Sequence, residues 1–122
     1  MRIRVETSHR IARITLARPD VRNAFDDVLI AELTQALRDL AGSPDIRALV
    51  IAAEGNTFCA GADFRWMGAQ KEASSDENMD DARRLYDMFE ALSSFPRPTI
   101  ARVQGNAFGG GAGLLACCDI VV

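Results

Sequence analysis

The chain has 122 residues, 48% of them apolar and 25% charged, which is the make-up of one folded domain and excludes a disordered polyelectrolyte. A formal net charge of −3 with no basic stripe argues against nucleic acid as a partner. No apolar run is long enough to span a bilayer, and Met1-Arg2-Ile3-Arg4 lacks the apolar stretch of a secretion signal, so a cytoplasmic setting without a membrane partner is expected.

Three cysteines, Cys59, Cys117 and Cys118, form an odd set with an adjacent pair, which speaks against a disulfide framework. They read as small packed residues. His9 is the only histidine and sits in the polar turn Thr7-Ser8-His9-Arg10, so no metal site is expected.

In chain order, Ile3-Arg4-Val5 and Ile11-Ala12-Arg13-Ile14-Thr15-Leu16 alternate on either side of that turn and predict a hairpin with one buried face. Arg18-Pro19-Asp20 ends it. Asp26 or Asp27 caps a helix carrying Ile30, Leu33, Leu37 and Leu40, and Gly42 stops it. Ala48-Leu49-Val50-Ile51-Ala52-Ala53 has no polar alternation, as in a strand buried on both faces. The glycine turn Phe58-Cys59-Ala60-Gly61-Ala62-Asp63 follows, then a short helix near Asp63–Met67. The polar stretch Ala69–Asn78 reads as a mobile, solvated loop. Asp80–Phe95 returns to helical spacing through Leu85, Met88, Phe89 and Leu92, until Pro96 and Pro98 end it. Thr99–Gln104 is a second buried strand. It leads to the second glycine turn, Gly105-Asn106-Ala107-Phe108-Gly109-Gly110-Gly111, a helix over Ala112–Cys118 and an apolar run from Ile120.

This alternation of strands and helices predicts an α/β fold with crossovers and a largely parallel sheet. The last apolar run is still open at Val122, so the chain is expected to be the front part of a larger fold or a piece completed by a partner.

Each glycine turn lies between a strand and a helix, where backbone N–H groups are left unpaired at the positive end of the helix dipole. One such turn cradles an anion. Two that converge can form an oxyanion hole. A phosphate loop would need Lys and then Ser or Thr after the last glycine, but Ala112-Gly113 follows Gly111. The loose dinucleotide pattern Gly111-x-Gly113-x-x-Ala116 lies too far past its strand. Close helix–strand packing explains one glycine turn well and two in equivalent settings less well.

Several segments in order resemble the crotonase, or enoyl-CoA hydratase/isomerase, family. They are Ala12–Leu16, Arg18-Pro19 with Asn23-Ala24-Phe25, Ala48–Ile51, Phe58–Asp63, Pro96–Ala101 and Gly105 to Ile120. The resemblance covers nearly all of residues 1–122 but only about the first half of a family domain. It implies the crotonase-like ββα spiral fold, in its N-terminal portion. It further implies that the backbone N–H groups of Ala62 and Gly110 hold a thioester carbonyl as it becomes an enolate. The Ala60 carbonyl would meet the adenine amino group. Ala24, Gly61, Asp63, Phe64, Arg65, Gly109 and Gly113 would lie along the CoA and acyl path, with Arg22 and Arg65 as candidates for the CoA phosphates. Trp66 and Met67 would pack under the acyl pocket or against a neighbouring subunit.

Many hydratases of the family carry a glutamate where Gly113 stands here, and glycine supplies no acid or base. By resemblance, a second glutamate further along, outside these 122 residues, would do so. Glycine at this position, with Asp63-Phe64-Arg65-Trp66-Met67 and Phe108–Leu114, looks most like bacterial hydratases of methylglutaconyl-CoA. The resemblance therefore implies addition of water to a branched or glutaconyl-type 2-enoyl-CoA, as in leucine or fatty acid breakdown. An enoyl-CoA isomerase and a catalytically incomplete piece are the alternatives. Homotrimers or hexamers would be the assembly. No prosthetic group is implied, since CoA arrives as part of the substrate.

Overall fold

The computed structural model describes every residue except Ala73 and the side chains of Phe64 and Gln70. Strands β1 (Ile3–Ser8) and β2 (Ile11–Leu16) form the expected antiparallel hairpin, with Ile3 opposite Leu16 and Ser8 opposite Ile11. His9 and Arg10 make its two-residue turn at φ 52° and 64°, the left-handed geometry that matches strand twist. The buried face belongs mostly to β2. On β1 only Ile3 is buried, because that strand is the edge of the sheet.

Pro19–Val21 forms a short 3-10 turn, and helix α1 (Asp27–Ala41) follows it. Asp26 is the cap: its side chain accepts from the Leu29 N–H, and Gly42 closes the far end. The spacing seen in the sequence places Leu29, Ile30, Leu33, Leu37 and Leu40 in the core. Strand β3 (Ala48–Ala53) lies between β2 and β5 (Thr99–Ala101), parallel to both, and β7 (Ile120–Val121) pairs in parallel with β5. The sheet order is β1-β2-β3-β5-β7. Strand β5 is shorter than the predicted Thr99–Gln104.

Two further corrections concern the middle of the chain. Ala69–Asn78 is largely helical: α2 spans Phe64–Glu72 and α3 spans Ser75–Ser93, while Ala73 lies outside the described residues. The Ser74 hydroxyl accepts from the Glu77 N–H, and Asp76 and Glu77 stand in the first turn of α3. The polar residues that suggested a solvated loop thus stabilise a helix N-terminus that faces water. Met88 and Leu92 of α3 reach the core against α1.

The glycine turns also contain unexpected strands. Strand β4 (Thr57–Cys59) and β6 (Asn106–Ala107) form a separate parallel pair, Thr57 opposite Asn106 and Cys59 opposite Ala107. This small sheet carries the two turns side by side. Helix α4 (Gly110–Cys117) then begins two residues earlier than predicted, inside the second turn. Cys59 is buried, whereas Cys117 and Cys118 are only half-buried.

Candidate active site

The first turn is fastened from outside by Phe25. The Phe25 N–H donates to the Gly61 carbonyl at 2.7 Å, and its carbonyl accepts from the Asp63 N–H at 2.7 Å, a parallel bridge between Phe25 and Ala62. In such a bridge the flanking residues supply the bonds, so the N–H of Ala62 itself points away from Phe25. Among the described residues it has no acceptor. Gly61 sits at φ 88°, and a Cβ there would fall 2.9 Å from the Phe108 carbonyl oxygen and 3.3 Å from the Gly110 nitrogen. Only glycine allows the turns this close.

The second turn is tied to the first by the Phe108 N–H, which donates to the Cys59 carbonyl at 2.9 Å. Gly110 opens α4, so its N–H is one of the donors that a helix cannot satisfy internally. Among the described residues it too has no acceptor. A Cβ at Gly110 would meet the Phe25 ring at 2.6 Å, so this residue also depends on lacking a side chain.

Around the first turn runs a chain of charges. Arg18 donates to the Ala24 carbonyl at 2.7 Å and stands 3.4 Å from both Asp26 and Asp63, and Arg2 lies 3.1 Å from Asp26. Asp63 caps α2 by accepting from the N–H groups of Arg65 at 2.8 Å and Trp66 at 3.2 Å. Burial works to raise the Asp63 pKa, but those N–H groups and the Arg18 and Arg65 charges together hold it below the ordinary value near 3.8. Asp63 is therefore a fixed anion and a structural cap rather than a proton donor at neutral pH.

Asn23, fully buried at φ 56°, is the residue that joins this turn to the sheet. Its Oδ1 accepts from the Arg18 N–H at 2.8 Å, while Nδ2 donates to the carbonyls of Glu54 at 2.9 Å, Thr57 at 3.0 Å and Phe58 at 3.2 Å. The Cys59 thiol donates to the Asn23 carbonyl at 3.2 Å and accepts from the Gly61 N–H at 3.4 Å. Burial pushes this thiol up to about 11, against the opposite pull of the Gly61 amide. The roles of Arg18, Asn23 and Phe25 were not apparent from the residues alone. The only local signal was an asparagine in a turn, a residue that tolerates left-handed backbone.

The two turns open on a groove of about 1440 Å³. Ala24, Ala60, Gly61, Ala62 and Asp63 line one wall, and Gly109 and Gly110 meet them there with Phe108. Arg22 and Arg65 also line it; both are exposed, and neither is ion-paired among the described residues. Trp66 and Met67 border it from α2, Glu77 and Asp81 from α3. The side chain of Phe64 lies outside the described residues. Gly113 is set apart: it faces α3, where an added Cβ would touch the Phe89 ring at 3.2 Å. Among the described residues no cluster of three or more His, Cys, Asp or Glu could hold a metal ion, and no helix is long and apolar enough to cross a membrane.

Residues 6–122 match the enoyl-CoA hydratase/isomerase family. A Thermus thermophilus protein named as an enoyl-CoA hydratase is 38% identical over 120 residues, covering 98% of this chain and 47% of its own length. The mouse mitochondrial enoyl-CoA hydratase domain-containing protein 2 is 37% identical over 112 residues, 90% of this chain and 36% of its own. Among solved structures, an enoyl-CoA hydratase from Shewanella pealeana superposes with a TM-score of 0.96 at 38% identity, over 99% of this chain and 46% of that one. One from Mycobacterium smegmatis gives 0.93 at 35%, over 99% and 47%. The chain spans about half the length of the curated relatives it matches. With the order of elements, the α/β architecture and these matches in agreement, the chain belongs to the enoyl-CoA hydratase/isomerase, or crotonase, family and has its fold.

Proposed function

We propose that the protein is an enoyl-CoA hydratase that adds water to a 2-enoyl-CoA of branched or glutaconyl type. The observation that carries this reading is a pair of main-chain N–H groups, at Ala62 and Gly110, without an acceptor among the described residues, on touching turns beside one groove. Water adds to the β-carbon, and the electron pair of the double bond moves through the α-carbon onto the thioester oxygen. The two amides stabilise that oxygen without carrying a charge of their own, and a proton then returns to the α-carbon. Gly113, which faces Phe89, supplies neither acid nor base, and Asp63, held as an anion, is not the proton donor.

The groove runs from the glycine turns past Arg22 and Arg65 to α2 and α3, an extended path of the kind a CoA thioester would follow. Arg22 and Arg65 would meet its phosphates, and the Ala60 carbonyl, which accepts no main-chain bond among the described residues, would take the adenine amino group. CoA comes with the substrate, so no prosthetic group enters. The segment would form the first half of an acyl-CoA-binding domain in a cytoplasmic trimer or hexamer, as its resemblance implied.

A second reading, double-bond isomerisation, draws on Gly113, since a shift needs fewer acid/base groups than hydration. The test follows 3-methylglutaconyl-CoA in labelled water with the full-length protein. Loss of the conjugated thioester absorbance with oxygen incorporated at the β-carbon supports hydration, and a shifted double bond without incorporation supports isomerisation. Gly110→Pro deletes one donor and is expected to lower kcat by about 10²–10³. Unchanged turnover in that variant would exclude the oxyanion role.

A further inference from the structure

One residue touches both turns. The main chain of Phe25 brackets Ala62 through the Gly61 carbonyl and the Asp63 N–H, each at 2.7 Å. Its ring lies against Gly110, where an added Cβ would stand 2.6 Å from Cε2. The separation between the two amides is thus spanned by a single residue, from its backbone to its ring edge.

That residue has little freedom to move. It is 1% exposed, and its ring meets Phe89 edge-on at 6.4 Å with an interplanar angle of 77°. Phe89 in turn packs against Gly113 of α4, so the helix that starts at Gly110 rests on both rings. On either side the chain is anchored, by the Arg18 bond to the Ala24 carbonyl and by Asp26 capping α1. A close-packed ring held this way keeps its rotamer and transmits displacement instead of absorbing it.

We propose that Phe25 is a positioning residue that sets the spacing between the amide donors of Ala62 and Gly110. The proposal rests on the oxyanion reading of those amides. It separates Phe25 from an ordinary core phenylalanine, whose loss would weaken stability and every bound state alike.

The test uses the full-length protein with two probes. One is free CoA. The other is acetoacetyl-CoA, which yields its C2 proton to solvent and whose enolate absorbs in the near ultraviolet. In Phe25→Leu the enolate fraction at saturation should fall about tenfold, part of the roughly hundredfold that a 1 Å misplacement costs. Affinity for free CoA should stay within about twofold, since binding of the CoA moiety does not use the two donors. Gly110→Ala should also lower the enolate fraction. Combined with Phe25→Leu it should recover part of the loss, because the new methyl enters the space the ring vacates. Phe95→Leu, which removes a buried ring that is not part of the groove lining, should keep the enolate fraction of the unaltered protein.

A Phe25→Leu variant with an unchanged enolate fraction would overturn the proposal. So would proportional loss of CoA affinity and enolate, strict additivity with Gly110→Ala, or an equal effect of Phe95→Leu. If Phe25→Leu does not fold, Phe25→Met carries the same measurements. No enolate band in the unaltered protein would instead remove the oxyanion reading itself, and the proposal with it.

Discussion

The two glycine turns do the same geometric job by different means. The first, around Gly61, is held by hydrogen bonds on both flanks: Ala60 to the Arg22 carbonyl, Gly61 and Asp63 to Phe25. The second is paired with β4 through β6 and the Phe108–Cys59 bond on its leading side, but at Gly110 itself it rests on an aromatic ring. Backbone pairing fixes direction, since a hydrogen bond weakens steeply off axis. Ring packing fixes distance but leaves small rotations possible. Under the proposed oxyanion role, the first turn would set the direction of its donor and the second how closely the two donors approach.

Substitutions can break this comparison. Gly61→Ala should cost most, about 3 kcal/mol, because left-handed strain adds to overlap with backbone that cannot withdraw. Thermal or denaturant unfolding measures it, and a loss near zero would show the first turn to be as compliant as the second. Gly110→Ala should cost less, about 1–2 kcal/mol, since the obstacle is a ring edge within the core. A larger loss than that of Gly61→Ala would reverse the order of the two turns.

The smallest effect sharpens the comparison through pH. Asp63 has a depressed pKa in the folded state, so its contribution is present above the ordinary value near 3.8 and is lost as pH falls through the lower folded value. Asp63→Asn keeps the α2 cap and should cost at most about 1 kcal/mol at neutral pH. Its unfolding free energy should depend less on pH below about 4 than that of the unaltered chain. An identical acid limb in both proteins would show that Asp63 is not held by the Arg18 and Arg65 charges.

Helix α1 and strand β3 were legible because their apolar spacing is long and regular. The beginning of α3 was not, because composition reports solvation and not conformation. Ser75, Asp76 and Glu77 face water, yet they are helical behind a single hydroxyl cap. Strands β4 and β6, three and two residues long, are too short for periodicity to register.

At the site, the glycines announced the turns, but their supports act across the chain. Arg18 reaches Asp63 over 45 positions and Asn23 reaches Glu54 over 31, and no local pattern encodes such ties. Gly113 shows the converse. It belongs to the glycine run that drew attention, yet its face is taken by Phe89.

The buried sulfur beneath the first turn has a chemical consequence. Cys59 has a thiol pushed to about 11 and engaged with Asn23 and Gly61, so almost none of it is thiolate under physiological conditions. Peroxide and maleimide reagents should pass it by. A thiol adjoining the groove-lining Ala60 is thereby kept inert towards any electrophile that enters the groove.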